Sequence, residues 1–445
     1  MASWAVAALL FLLVLVLLIH KALSLFVWGP LRIQKRFRAQ GISGPPYRIF
    51  FGKPFLFWLG WNARLTLVDP ELCKEVLSNK YNQYPKLRLP IQLQDLFAEG
   101  LTTLEGEKWA QHRRIVNPAF FSDKLKGMVP TIVNLASTML EKWKSDSENS
   151  TSKETEACKE FQALTADIIS HTAFGSSYAE GKQVFLLQYE QQALFLKLAG
   201  SVLIPGAWLL PTALNRYRWT LRKQITTTLE GIVKKRLSLP SDAYGSDLLG
   251  LMLSALKEEG QKNLTMSLQE IIDECKTFYF AGHETTSSLL TWTVMLLANH
   301  SQWQERGREE VFSILGRGHP DADSLNHLKI IGMILQESLW LYPPAVGVFR
   351  KTIKDEKLDA LEFNPLRFAN GVLKACKQPS AFLPFGGGPR ICVGQNFAMM
   401  EAKIVLSMIL QKFRFRVSPG YRHAPIARLT LQPEHGMQIL LEPLV

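Results

Sequence analysis

Phe385-Gly386-Gly387-Gly388-Pro389-Arg390-Ile391-Cys392-Val393-Gly394 is the stretch on which the fold turns. One cysteine sits in a glycine-rich loop, and residues 395–413 after it read as a helix. A thiolate at Cys392 would lie at that helix's N-terminus, where backbone N–H groups and the helix dipole favour negative charge. Gly388 and Gly394 let the backbone come close to a large flat ligand that side chains would block. Arg390, two residues before the cysteine, is a fixed cation suited to a carboxylate. A lone cysteine is more often a small buried hydrophobe, and that reading holds for Cys73, Cys158, Cys275 and Cys376.

At Cys392 five typed positions coincide. Phe385, Gly388, Arg390, Cys392 and Gly394 match, position by position, the haem-binding signature of the cytochrome P450 family, which the chain resembles. The resemblance implies haem b with Cys392 as the axial thiolate ligand of its iron, a sulfur that pushes electron density to the metal and favours O–O cleavage.

The chain has 445 residues, of which 47% are hydrophobic and 20% charged. That is a globular body with extra apolar sequence. Five irregularly spaced cysteines argue against a disulfide framework and fit a reducing compartment. The net charge of +12 points to an acidic partner or an anionic membrane face. No nucleic-acid motif accompanies it, and the basic residues are dispersed. Residues 3–19 are almost unbroken Ala, Leu, Val and Phe, and residues 22–28 are apolar again. Such a run can span a bilayer core of ~30 Å. It lacks the basic start and small-residue cleavage site of a signal peptide. Arg32, Lys35, Arg36 and Arg38 follow and hold the rest of the chain on the cytosolic side. The expected organisation is a membrane anchor at 1–30, a basic, Pro-rich linker at 31–52 around Gly44-Pro45-Pro46, and a haem domain at 53–445. The expected location is the endoplasmic reticulum membrane, single-pass, with a cytosolic catalytic domain.

The fold class expected is mainly α with a minor β-sheet, the P450 fold with an N-terminal transmembrane helix. Residues 55–59 and 64–68 look like two strands around Gly60-Trp61-Asn62. From Pro70 the pattern is mainly helical to about Tyr342. Residues 145–156 are polar and charged and read as a solvated loop. Residues 413–441 read as short strands.

Ser267-Leu268-Gln269-Glu270 is a capping-box pattern opening a long apolar helix to about Ala298. Within it, Gly282 costs about 1 kcal/mol against Ala, and Glu284 and Thr285 are polar in apolar company. Taken alone, Thr285 simply back-bonds to a carbonyl one turn earlier. Beside the Cys392 loop, Ala281-Gly282-His283-Glu284-Thr285-Thr286 resembles the family's oxygen-binding segment. That implies Glu284 and Thr285 as the catalytic acid and hydroxyl, with Ala281 and Gly282 beside the cofactor and Gly282 opening space over the iron.

Trp109 and Arg113 stand four apart and share a helix face. An Arg over an aromatic ring is ordinary, but the pair matches the family's Trp-x-x-x-Arg pattern, which holds a haem propionate. Arg350 matches another propionate position. His112 reads as structural. The family's Glu-x-x-Arg motif begins at Glu337, but Trp340 replaces its arginine. Arg367 matches the third member of that charged network, and Leu366 replaces a usually polar neighbour. Two stretches of the family pattern are missing: residues 47–52 run directly into 53–68, which resemble a strand pair that the family has several dozen residues later, and residues 351–361 run almost directly into Phe363.

The resemblance implies a haem-thiolate monooxygenase that inserts one atom of O2 into a hydrophobic, steroid- or terpenoid-like molecule. Electrons come from NADPH through NADPH-cytochrome P450 reductase, and no nucleic acid is involved. The rival reading is an inactive, degenerate or mis-spliced relative, motivated by Trp340, Leu366 and the missing stretches. A reductase-independent isomerase is a third, disfavoured by the acid–alcohol pair Glu284–Thr285.

Overall fold

The computed structural model describes residues 20, 56–59, 62–67, 70–78, 86, 89–145, 153–175, 178–198, 201, 206–257, 265–348 and 382–444. Its helices are α1 (Pro70–Ser78), α2 (Ile91–Phe97), α3 (Gly106–Val116), α4 (Ser122–Ser145), α5 (Ala157–Phe174), α6 (Tyr178–Leu198), α7 (Ala213–Leu237), α8 (Leu248–Lys257), α9 (Leu268–Asn299), α10 (Ser301–Leu315), α11 (Ser324–His327), α12 (Lys329–Leu341) and α13 (Gln395–Lys412).

α9 is the axis of the molecule. Ser267 and Glu270 form the expected capping box: the Glu270 N–H donates to Ser267 Oγ at 3.3 Å, and the Ser267 N–H to Glu270 Oε2 at 2.7 Å. From Ile271 to Leu297 the helix is buried on nearly every side, so it has no solvent face, and its polar residues, Glu274, Lys276 and Glu284 among them, are buried with the rest. α2, α5, α12 and α13 pack around it. Phe174 of α5 stacks on Tyr279 at 4.2 Å between ring centroids, and Trp292 stacks on Tyr342 at 4.5 Å. Gly282 serves this packing. A Cβ there would lie 2.7 Å from Ile169 of α5, too close for the two helices to cross as they do.

The strands are small. β1 (Leu56–Leu59) and β2 (Asn62–Leu65) pair antiparallel, Leu59 opposite Asn62. The second strand therefore begins earlier than the sequence pattern places it. β4 (Phe413–Val417), β7 (Gln438–Pro443) and β3 (Lys153–Glu156) form one antiparallel sheet with β7 in the middle. β5 (Pro425–Ala427) pairs with β6 (Leu431–Pro433). β3 corrects the expectation of a loop through residue 156. Its charged residues Lys153, Glu154 and Glu156 made it look solvated, and that is the composition an edge strand carries.

No described helix is long and apolar enough to cross a membrane. The expected anchor at 1–30 and linker at 31–52 lie outside the described residues, His20 excepted, as do Arg350, Arg367, Leu366 and Cys376.

Candidate functional site

The loop before α13 is shaped by its glycines. Gly386 and Gly388 have φ of +73° and +66°, the left-handed region that favours glycine. Residues Gly388–Arg390 make one 3-10 turn, closed by the Ile391 N–H donating to the Gly388 carbonyl at 3.1 Å. The Cys392 N–H donates to the Phe385 carbonyl at 2.9 Å, which holds the cysteine over the loop. Gly388 also lies against the backbone of Leu77 and Ser78 at the end of α1, where a Cβ would collide.

α3 supplies the cationic side. Arg390 lies over the Trp109 ring at 4.5 Å and pairs with Glu105 at 3.2 Å. Arg113 Nη1 donates to the Ile391 carbonyl at 2.9 Å. The spacing of Trp109 and Arg113 thus turns both toward the loop, at Arg390 and Ile391, the two residues before Cys392. His112 turns the other way, into the core, where its Nδ1 donates to Glu274 Oε1 at 2.7 Å; its reading as structural fits this placement.

Cys392 is reachable by solvent, yet protein crowds its sulfur. Burial pushes the thiol up from its ordinary value, while the Gly394 N–H and the Arg113 guanidinium pull it down. The Gly394 N–H is a contact expected at a helix N-terminus, the Arg113 guanidinium is a cation brought by α3, and desolvation outweighs both in the protein by itself.

The α9 segment forms a second cluster. Thr285 Oγ1 donates to the Ala281 carbonyl at 2.8 Å, the back-bond of a helical threonine. Glu284 is buried, and its Oε1 accepts from Thr430 Oγ1 at 2.9 Å and from Gln432 Nε2. His283 Nε2 lies 3.5 Å from Glu284 Oε2, and burial holds the imidazole's pKa below its ordinary value. Thr430 and Gln432 were not foreseen. They reach Glu284 from around β6, far along the chain, with no local signal in the sequence.

Phe120 joins the two clusters. Its ring stacks on Phe278 of α9 at 5.8 Å and meets Phe397 of α13 edge-on at 6.4 Å. A small apolar cavity lies there, lined by Phe120, Met128, Ile169, Thr172, Leu248 and Phe397. A Cβ added at Gly394 would stand 3.7 Å from Phe120, ordinary contact distance. Glu337 is buried on α12. Trp340, where an arginine was expected, stacks on Phe382 at 5.5 Å.

The donor set fits an anionic iron macrocycle. One sulfur stands at a helix start, Arg113 and Arg390 flank it as cations for carboxylates, and Trp109 lies flat beside them.

The cytochrome P450 family profile matches residues 46–360 and 358–441. Cytochrome P450 CYP72A616 of Paris polyphylla is 44% identical over 93% of this chain and 88% of its own length. Cytochrome P450 709B1 of Arabidopsis thaliana is 40% identical over 98% of both. The 11-oxo-beta-amyrin 30-oxidase of Glycyrrhiza uralensis is 38% identical over 100% of this chain and 98% of its own. The chain therefore belongs to the cytochrome P450 family of haem-thiolate monooxygenases, and these relatives are plant enzymes. The alignment to 709B1 occupies 515 positions, more than the 445 residues of this chain, so that relative carries residues without counterpart here.

Proposed function

We propose that this chain is a membrane-anchored monooxygenase of the endoplasmic reticulum that places one oxygen atom from O2 into a hydrophobic, terpenoid- or steroid-like molecule. NADPH-cytochrome P450 reductase supplies its electrons. The observation that carries this reading is the convergence of Trp109, Arg113 and Arg390 on the loop that presents Cys392. The similarity to the 11-oxo-beta-amyrin 30-oxidase of Glycyrrhiza uralensis supports a terpenoid class.

Cys392 would ligate the haem iron, with Phe385, Gly388 and Gly394 shaping its loop. Trp109, Arg113, Arg390 and Arg350 would hold the propionates. The bound haem supplies the chemistry of oxygen activation. Glu284 and Thr285 handle protons. The Thr285 hydroxyl spends its own proton on the Ala281 carbonyl, which leaves its oxygen free to accept. Glu284 is held in one orientation by Thr430 and Gln432. Ala281 would lie beside the haem with them, while Gly282 lets α9 pack closely on Ile169 of α5. Glu337 and Arg367 would form the remaining part of the charged network.

A second reading, a P450 without turnover, is favoured by Trp340. The position holds an apolar stack on Phe382 in place of an arginine for Glu337, and breaking such a buried network costs roughly 3–5 kcal/mol. The carbon monoxide difference spectrum of the reduced protein in membranes separates the two. A Soret band typical of thiolate-ligated haem, lost in Cys392→Ser, is the expected result. Its absence from the parent protein would overturn the first reading.

A further inference from the structure

Toward the end of α9, four rings with polar atoms touch in succession from the core to the surface. The Trp292 indole is fully buried, and its Nε1 donates to the Leu431 carbonyl at 2.9 Å. It stacks on Tyr342, the residue that caps α12, at 4.5 Å and 13° between ring planes. Both rings meet His423 edge-on, at 6.0 and 6.1 Å between centroids. His423 is exposed in the loop between β4 and β5, and it holds a second phenol. Tyr421 Oη donates to its Nδ1 at 2.9 Å, and its Nε2 lies 3.5 Å from the Tyr342 hydroxyl.

Packing alone does not ask for this composition. Phenylalanine closes an apolar gap as well, and does so at the α9 contacts Phe97–Phe280 and Phe120–Phe278. Here indole, phenol and phenol are each rings that yield an electron, and an imidazole stands between the phenols. Trp109, beside the Cys392 loop, is a different case, because the Arg390 guanidinium 4.5 Å over its ring opposes the loss of an electron. A phenol gives up an electron readily only when its proton has somewhere to go. Burial, with Tyr342 adding to it, pushes the Tyr421 hydroxyl up to about 12, so the proton stays on until then. A neutral imidazole has one nitrogen free to accept, and the 2.9 Å hydrogen bond sets it on that proton.

Trp292 follows Thr285 by seven residues, ~10 Å along the axis of α9. The inner end of the run is thus two helical turns from the segment assigned to oxygen chemistry, and its outer end is at solvent. We propose that Trp292, Tyr342, His423 and Tyr421 form an electron relay that discharges oxidising power from the haem when no substrate takes it. This rests on the monooxygenase reading for the haem itself. An electron passes from Trp292 to the oxygen-activated haem, and one from Tyr421, by way of the stacked Tyr342, restores the indole. As Tyr421 loses its electron, its hydroxyl proton moves to His423 Nδ1, which leaves a neutral phenoxyl beside an imidazolium. A thiol in the solvent returns the electron and His423 returns the proton. The thiol, its own proton lost to water, is left as a thiyl radical. The haem has gained one electron and the thiol has lost one.

Rapid-freeze electron paramagnetic resonance tests this on the ferric holoprotein mixed with a peroxyacid in the absence of substrate. A tyrosyl radical is expected, with lines that narrow when the protein carries ring-deuterated tyrosine. Trp292→Phe keeps a ring in the stack, and Tyr421→Phe removes one oxygen atom near the surface; each should lose most of that signal. Supplied with NADPH, reductase, O2 and a thiol but no substrate, both variants should bleach their haem severalfold faster than the parent. If Trp292→Phe fails to fold, Tyr421→Phe decides alone. No tyrosyl radical in the parent, or a signal or haem lifetime unchanged in Tyr421→Phe, would overturn the relay. The carbon monoxide band separates the two readings. A thiolate-type band without the radical sinks the relay alone, and no thiolate-type band sinks the monooxygenase reading and the relay with it.

Discussion

Lys276 is an ammonium carried almost wholly out of water. Burial lowers its pKa from 10.5 to about 8, with Asp95 and Asp273 opposing the shift and Arg222 adding to it. The folded protein thus releases this proton at lower pH than the unfolded chain does. Unfolding takes up a proton between about pH 8 and 10.5, so the lysine's burden on the fold is full below pH 8 and is relieved as pH rises through that window. Lys276→Met should raise stability at pH 7 by up to ~3 kcal/mol and remove this residue's share of the slope above pH 8. Urea denaturation of parent and variant across pH 7 to 10.5 measures it, and equal stability at pH 7 would refute it. Nothing in the sequence announced this residue. Its partners come from α2 and α7, so no spacing along α9 could reveal them. Cys392, Arg113 and Trp109 were legible because their chemistry is carried by residue types at short, fixed separations. Glu284 was legible as an oddity in an apolar helix, but its partners Thr430 and Gln432 were not.

Local elements divide in the same way. The start of α9 could be read because a capping box involves four consecutive residues and nothing else. β3 could not, because what makes it a strand is β7, from the other end of the domain. The loop before α13 lies between these cases. Its glycines signal an unusual backbone, but only the fold shows that Gly388 is pressed against the end of α1. Gly388→Ala therefore combines a positive φ with a collision against the Leu77 backbone. The strain of an L-residue in that conformation alone is roughly 1–2 kcal/mol. The expected outcome is a loop displaced at Cys392 and a fall in the ratio of haem to protein in purified material. Gly386→Ala, with a similar φ and open space around it, should lose less. Equal haem content in both variants would show that the contact with α1 does not matter.

Across the whole molecule, the helical class and the small terminal sheet follow from apolar periodicity, and the described residues agree with both. What periodicity could not convey is how strongly residues 413–443 close structures made of much earlier segments. β7 pairs with β3 as well as β4. The Leu431 carbonyl accepts from Ser288 Oγ and, at 2.9 Å, from Trp292 Nε1 in α9. The Phe413 and Phe415 carbonyls take the buried Arg308 and Gln304 side chains of α10. During synthesis these residues leave the ribosome after every helix whose polar atoms they satisfy. The growing chain must then hold α9 and α10 with open valences until translation has passed them, in a state that exposes apolar surface to chaperones and proteases. A nascent chain stalled after Lys412 should be cleaved rapidly by added protease, and one stalled long enough past Pro443 to free β7 should resist. Equal resistance of the two would mean that the helices close without their last partners.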